Sequence, residues 1–163
     1  MKVVSNASVL IGMSSIEKLS VVRERFPQGI LIPEAVRREV VDEGEGRPGA
    51  REIYESDWIR VEKVADERIV DLLLTELDNG EAEAIALARE VSASIILLDE
   101  RDARRAAKRM NLKVLGTVGL LIWAKKAGKI ESLKEQLDAL RGHGKFRFGQ
   151  AIYESALREV REL

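Results

Sequence analysis

Asparagine, glutamate and aspartate recur in this chain just beyond, or just ahead of, short apolar runs. Asn6 follows Val3-Val4-Ser5, Glu39 comes one helical turn after Ile30-Leu31-Ile32-Pro33, and Asp99 and Asp102 follow Ile95-Ile96-Leu97-Leu98. Glu81 and Glu83 open the helical pattern that feeds that last run, in Leu77-Asp78-Asn79-Gly80-Glu81-Ala82-Glu83. Oxygen donors drawn from separate segments suit a hard divalent ion such as Mg²⁺ or Mn²⁺. Carboxylates packed together repel one another and hold protons at neutral pH, and a divalent cation reverses this. Such an ion can polarise a phosphodiester, activate water and stabilise the leaving oxygen. The chain has no cysteine and a single histidine, His143, so thiolate and imidazole zinc sites are excluded.

Each acid also has a plainer reading. Asp78 with Glu81, and Asp99 with Asp102, have the spacing of a helix N-cap followed by an acid at the third helical position. Acids in a first helical turn offset the macrodipole, and Glu39 could be one more exposed helix glutamate. Taken singly, capping is the stronger reading. Acids that follow separate strands on one sheet edge are, together, what an oxygen-ligated metal needs. Basic residues flank them: Arg101, Arg104, Arg105, Lys108 and Arg109 after Asp99, and Arg37 and Arg38 beside Glu39. These read either as phosphate contacts to RNA or as an ordinary solvated helix face.

The elements that must position these groups are legible as alternating runs. Residues 2–5, 30–32, 94–98 and 113–115 are short, apolar and rich in β-branched side chains, and 58–64 reads as an edge strand. Continuous rather than alternating apolar character predicts strands buried on both faces, as in a parallel sheet. Helical patterns lie between them, at 8–19, 21–25, 33–43 (with proline at the first helical position), 80–91, 100–110, 117–126, 132–140 and 150–163. The alternation predicts a doubly wound α/β sheet with right-handed crossovers, whose ligands bind beyond the carboxyl ends of the strands. Ser8 reads as the N-cap of the first helix. Residues 44–49, Gly-Glu-Gly-Arg-Pro-Gly, read as a mobile loop beside Glu39, and His143 as a surface residue. Trp58, Trp123, Phe146 and Phe148 are scattered in sequence and are assigned to packing rather than to a base-stacking platform.

At 163 residues the chain is expected to form one domain over 1–163, with a C-terminal helical extension at about 128–163. That length buries roughly two-thirds of the unfolded chain's surface without a staple. Net charge is −1 with 34% charged residues, which argues against nucleic-acid binding by bulk charge and leaves a local basic patch as the means. The start of the chain has no signal-peptide layout and no apolar stretch is long enough to span a membrane, so a cytoplasmic, membrane-free protein is expected. The late stripe of Phe146, Phe148, Ile152, Tyr153, Ala156, Leu157 and Val160 offers a homodimer surface or a cover for the chain's own core.

Taken in order, several motifs resemble the PIN-domain superfamily. They are Val3-Val4-Ser5-Asn6-Ala7-Ser8, Ile32-Pro33-Glu34-Ala35-Val36 leading to Glu39, Leu77-Asp78-Asn79-Gly80-Glu81-Ala82-Glu83 and Leu98-Asp99-Glu100-Arg101-Asp102, followed by Gly116-Thr117-Val118-Gly119. The chain is similar in particular to small prokaryotic PIN-like proteins related to VapC-type toxin ribonucleases. The resemblance covers essentially the whole chain. It implies an α/β/α sandwich with a central, mostly parallel sheet and a Mg²⁺- or Mn²⁺-dependent RNase. It also implies a homodimer and, in a toxin role, an antitoxin partner. Asn6, Glu39, Glu81 and Asp99 match the metal-ligand positions, with Glu83 the rival of Glu81 and Asp102 accessory. At the first position the family carries an acid where this chain has Asn6. An amide oxygen can ligate Mg²⁺ but adds no negative charge, so the resemblance implies either an endoribonuclease or a catalytically impaired module that binds nucleic acid.

Overall fold

Five strands of two or three residues carry the architecture: β1 (Val3–Ser5), β2 (Ile30–Ile32), β3 (Ile59–Val61), β4 (Ile95–Leu97) and β5 (Val114–Leu115). This computed structural model describes residues 1–42, 46–47, 49–143 and 146–163. The strands lie in the order β3-β2-β1-β4-β5, and every neighbouring pair is parallel. The register sets Val4 beside Leu31 on one side and beside Ile96 on the other. β1, β2 and β4 are buried along their whole length, which is why their sequences are unbroken apolar runs. The edge strands are more exposed, and β3 carries Arg60 outward, as suits an edge.

Ten α-helices connect and cover the sheet among the described residues: α1 (Ala7–Ser15), α2 (Leu19–Arg25), α3 (Glu34–Arg37), α4 (Ala50–Glu55), α5 (Glu67–Leu73), α6 (Asn79–Glu90), α7 (Arg101–Arg109), α8 (Thr117–Lys126), α9 (Leu133–Gly142) and α10 (Gln150–Glu159). The result is the α/β/α sandwich that the motifs imply. One cluster of buried apolar side chains runs from Val3 in β1 to Leu157 in α10. α9 and α10 both pack on α8. Tyr153, Ala156 and Leu157 are thereby buried in the chain's own core, while Ile152 of the same helix stays 52% exposed.

Several boundaries differ from the sequence expectation, each for a local reason. The helix expected over 8–19 ends at Ser15, where Glu17 adopts a left-handed φ of 58° and Lys18 N donates to Met13 O at 2.8 Å. This is a Schellman stop made without the usual glycine, so nothing in the residue type announces it. Pro33 stands at the N-cap position of α3 rather than inside it, and α3 passes at Arg38 into a π-helical turn, Arg38–Asp42. α4 and α5 were not anticipated: they are short, and exposed residues interrupt their apolar spacing. α10 stops at Glu159 rather than 163. Of the segment expected to be a mobile loop, Gly44, Glu45 and Pro48 lie outside the described residues. Among the described residues no helix is long and apolar enough to cross a membrane.

Candidate metal centre

The strand order reverses between β1 and β4, because the chain winds outward through β2 and β3 and returns to the opposite side of β1. In an open parallel sheet the crevice at that switch point, beyond the carboxyl ends, is where ligands bind. Asn6 leaves β1 there and Asp99 lies just past β4. The backbone N–H of Asn6 donates to Leu97 O at 3.0 Å, which pins the end of β1 against β4.

Asn6 occupies the N-cap position of α1, with extended backbone (φ −85°, ψ 170°), but its side chain makes no capping hydrogen bond. Ser8, expected to be the cap, sits instead within the first turn. Asn6 is only 5% exposed, and its Oδ1 is buried without a hydrogen-bond partner among the described residues. A buried acceptor left unsatisfied costs about 1–3 kcal/mol, which a bound cation or an ordered water would relieve. The Ser8 hydroxyl is likewise buried without a hydrogen bond of normal geometry.

Glu39 enters from the π-helical turn, a widened turn of a kind that often marks functional sites. Its carboxylate reaches the start of α6, where a Cβ added to Gly80 would overlap Glu39 Oε1 and stand 3.3 Å from Asn6 Oδ1. Gly80 therefore leaves the space in which these two oxygens approach. Asp99 is anchored from the other side: Oδ1 accepts from Thr117 N at 2.7 Å and Oδ2 from Thr117 Oγ1 at 2.8 Å. It thus caps the start of α8, while Glu100 holds the N-cap position of its own helix. Burial pushes the Asp99 carboxyl above the usual carboxylate range, opposed by the two Thr117 hydrogen bonds, the nearby Ser8 hydroxyl and the Arg104 guanidinium. A Cβ on Gly116 would stand 2.9 Å from both Asp99 Oδ1 and Arg104 Nη1, so this glycine lets carboxylate and guanidinium converge.

The remaining acids each make contacts of their own. Glu81 is 7% exposed and forms a complete capping box with Asp78: Glu81 N donates to Asp78 Oδ1 at 2.8 Å, and Asp78 N to Glu81 Oε1 at 3.2 Å. Burial first, and then the negative charges of Asp78 and Glu100, raise its pKa, although the Asp78 N–H opposes them. Glu83 accepts from Ala35 N at 3.1 Å and pairs with Arg38 at 3.8 Å, which ties α6 to the start of α3. Asp102 is exposed on the first turn of α7.

Among the described residues no three His, Cys, Asp or Glu side chains gather into a metal-holding group. The donors beyond the sheet instead meet in two pairs, the amide oxygen of Asn6 with the carboxylate of Glu39 at Gly80, and the hydroxyl of Ser8 with the carboxylate of Asp99 one strand away. The chemistry of these donors suits a small hard ion, because Mg²⁺ takes one or two carboxylates and keeps several waters. The orphaned Asn6 Oδ1 and the space kept by Gly80 are the observations that support the fit.

Asp99 also lines a cleft of about 670 Å³. Arg101, Arg104, Arg105 and Lys108 reach it from α7, one face of a helix whose Ala103, Ala106 and Ala107 are buried on the sheet side. Phe146, Arg147, Phe148 and Ile152 form the opposite wall. The two rings, assigned from sequence to packing and too scattered for a platform, meet edge to face with centroids 6.0 Å apart. Their spacing in the sequence, aromatic-basic-aromatic, is the signal that would have found this wall. His143 is exposed at the end of α9.

A family model described as a PIN domain matches residues 2–162. No curated protein matches the chain.

Proposed function

The chain belongs to the PIN-domain family, whose fold is that of nucleases, and from that premise we propose that it is a divalent-metal-dependent endoribonuclease. The observation that carries the reading is the buried, unpartnered Asn6 Oδ1 beside the Glu39 carboxylate, one strand away from Asp99 at the switch point. Asn6 Oδ1, Glu39 and Asp99 would hold Mg²⁺ or Mn²⁺. When bound, the ion supplies charge to polarise the phosphodiester and to favour hydroxide over water.

The chain's own groups do the rest. Thr117 fixes the Asp99 carboxylate by two hydrogen bonds, which leaves its remaining lone pairs for a ligand. Arg104 beside Asp99, with Arg101 and Arg105 on the same helix, binds the phosphate backbone of RNA and orients the scissile group. Glu81, one residue past Gly80 and with a raised pKa, serves as the fourth member of the site by orienting the attacking water. Asp102, exposed at the head of α7, is an accessory acid at the rim.

Asn6 favours a second reading, in which a site short of one negative charge binds RNA without cutting it. Incubating the purified protein with RNA, with and without Mn²⁺ and beside Glu39→Ala, separates the two. The nuclease reading expects Mn²⁺-dependent cleavage that chelation and Glu39→Ala both remove. Retained RNA binding without cleavage selects the second reading. Further extensions rest on the family resemblance alone: a cytoplasmic toxin held by an antitoxin protein, working as a homodimer. Growth arrest on expression tests the toxin role, and light scattering tests the dimer.

A further inference from the structure

We propose that β3 is a docking edge for a second copy of this chain, the two β3 strands pairing antiparallel about a two-fold axis at Val61. The proposal is independent of the nuclease reading. β3 closes one side of the sheet, and its register with β2 decides which of its backbone groups are already engaged. Ile30 N donates to Trp58 O at 2.9 Å and Glu62 N to Ile32 O at 3.0 Å, so Trp58, Arg60 and Glu62 direct their peptide groups at β2. Ile59 and Val61, by alternation, direct theirs away from the sheet. Ser56 O accepts from Ile59 N at 3.2 Å, but the Ile59 carbonyl and both peptide groups of Val61 meet no partner among the described residues. Such an edge is a template for another strand.

The side chains decide which strand fits. With the axis at Val61, each Arg60 lies opposite the Glu62 of the other copy, in the non-hydrogen-bonded pairs where side chains come closest. Moving the axis by one residue sets Arg60 against Arg60 or Glu62 against Glu62, and like charges directly opposite are destabilising. Arg60 and Glu62 are both exposed, and neither has an ion-pair partner among the described residues. One patch therefore complements itself, as an isologous contact requires. Apolar surface flanks the strand. Val61 is 43% exposed, and Tyr54 of α4, 63% exposed, stands beside a cavity of about 120 Å³ that Ile53 and Ile59 also line. A short strand alone buries too little for a stable pair, and this flank adds to it. The late stripe on α10 cannot serve instead, because Tyr153, Ala156 and Leu157 are buried in the chain's own core. A net charge of −1 sets up no bulk repulsion between copies. The metal crevice lies between β1 and β4, so pairing at β3 leaves it open.

The test is sedimentation velocity on the full chain and its charge variants, with disulfide trapping beside it. The wild type is expected to dimerise at micromolar concentration. Arg60→Glu should weaken the dimer by roughly tenfold or more, because it removes the cross-strand ion pairs and opposes like charges. Adding Glu62→Arg to Arg60→Glu exchanges the signs and should restore the dimer, which a variant that had merely unfolded could not do. The chain has no cysteine, so a single introduced one reports on its own counterpart. Opposed residues in such a pair have Cα atoms about 5.5 Å apart, within disulfide reach. Val61→Cys should therefore link to its counterpart on mild oxidation, while Leu72→Cys, exposed on α5, should not. A monomeric wild type overturns the proposal. So does a dimer that Arg60→Glu leaves unchanged, a double variant that stays monomeric, or a Val61→Cys protein that links no faster than Leu72→Cys.

Discussion

Asn6 and Glu39, from different segments of the chain, bring their side-chain oxygens to the same point above Gly80. A methyl group there would overlap Glu39 Oε1 and stand 3.3 Å from Asn6 Oδ1. Gly80→Ala is therefore a clean probe of the site. In a helix this change ordinarily stabilises by roughly 0.5–1 kcal/mol. Here the obstacle is the end of a flexible side chain, so the fold should survive with Glu39 displaced. We predict a denaturation midpoint close to wild type and Mn²⁺ affinity lower by about tenfold, equivalent to roughly 1.4 kcal/mol. Chemical denaturation and a metal titration on the same sample check both halves.

Metal binding should strengthen as pH rises. Burial holds the carboxyls of Asp99 and Glu81 above their ordinary values, so the native state keeps protons that the unfolded chain has already released. In the metal-free protein these two groups therefore favour folding at low pH. Their contribution is lost as pH climbs from the ordinary carboxylate range through the raised values. A divalent ion must displace the same protons. Calorimetry in buffers of different ionisation enthalpy should show protons released on Mn²⁺ binding, and fewer of them as pH increases.

Thr117→Val removes the hydroxyl that donates to Asp99 Oδ2 and leaves the backbone N–H to Oδ1 in place. The charged carboxylate loses a donor, so its pKa should rise further and the pH at which Mn²⁺ binds should move upward. Stability should fall by about 1 kcal/mol. A parallel shift in the pH profiles of metal affinity and of cleavage would tie Asp99 to both.

Much of this was legible in the sequence, for identifiable reasons. β1, β2 and β4 are buried on both faces, so unbroken runs such as Ile95-Ile96-Leu97 announced them. The same runs led to Asn6 and Asp99, because a doubly wound sheet exposes the residues just past its strands. The Asp78–Glu81 capping box was visible as spacing alone. The partner of Asp99 was not, because Thr117 lies eighteen residues away and meets it only after β5 pairs with β4. Nor could spacing distinguish Glu83, which holds the start of α3, from Glu81. Phe146 and Phe148 pack against the core, as the sequence reading has it, but their place beside the cleft depends on the packed tail.

That tail has its own clasp. Glu162 accepts from Leu133 N at 2.7 Å and Lys134 N at 3.0 Å, capping α9, and pairs with Lys125 at 3.4 Å. Burial opposes its charge, but the two N–H groups and the ammonium prevail and hold its carboxyl below the usual range. Its stabilisation is therefore present above the ordinary carboxylate pKa and is lost as pH falls through the depressed value. Glu162→Gln should cost about 1 kcal/mol at neutral pH, and the two proteins should converge in acid. Denaturant titrations across pH measure the gap.

If Asn6, Glu39 and Asp99 share a divalent ion, as we propose, calorimetric titration with Mn²⁺ detects it. Wild type should bind, Glu39→Gln and Asp99→Asn should weaken binding, and Asn6→Asp should tighten it. That gain is limited to a few kcal/mol at most, roughly, because water screens the added charge and the neighbouring carboxylates repel it. RNase activity should rise in Asn6→Asp in step with affinity. If the Asn6 amide instead turns to donate Nδ2 to Glu39, the pair is held together without any cation. A wild-type titration with no binding heat, unchanged in Asn6→Asp, would be the signature of that arrangement and would contradict the shared metal site.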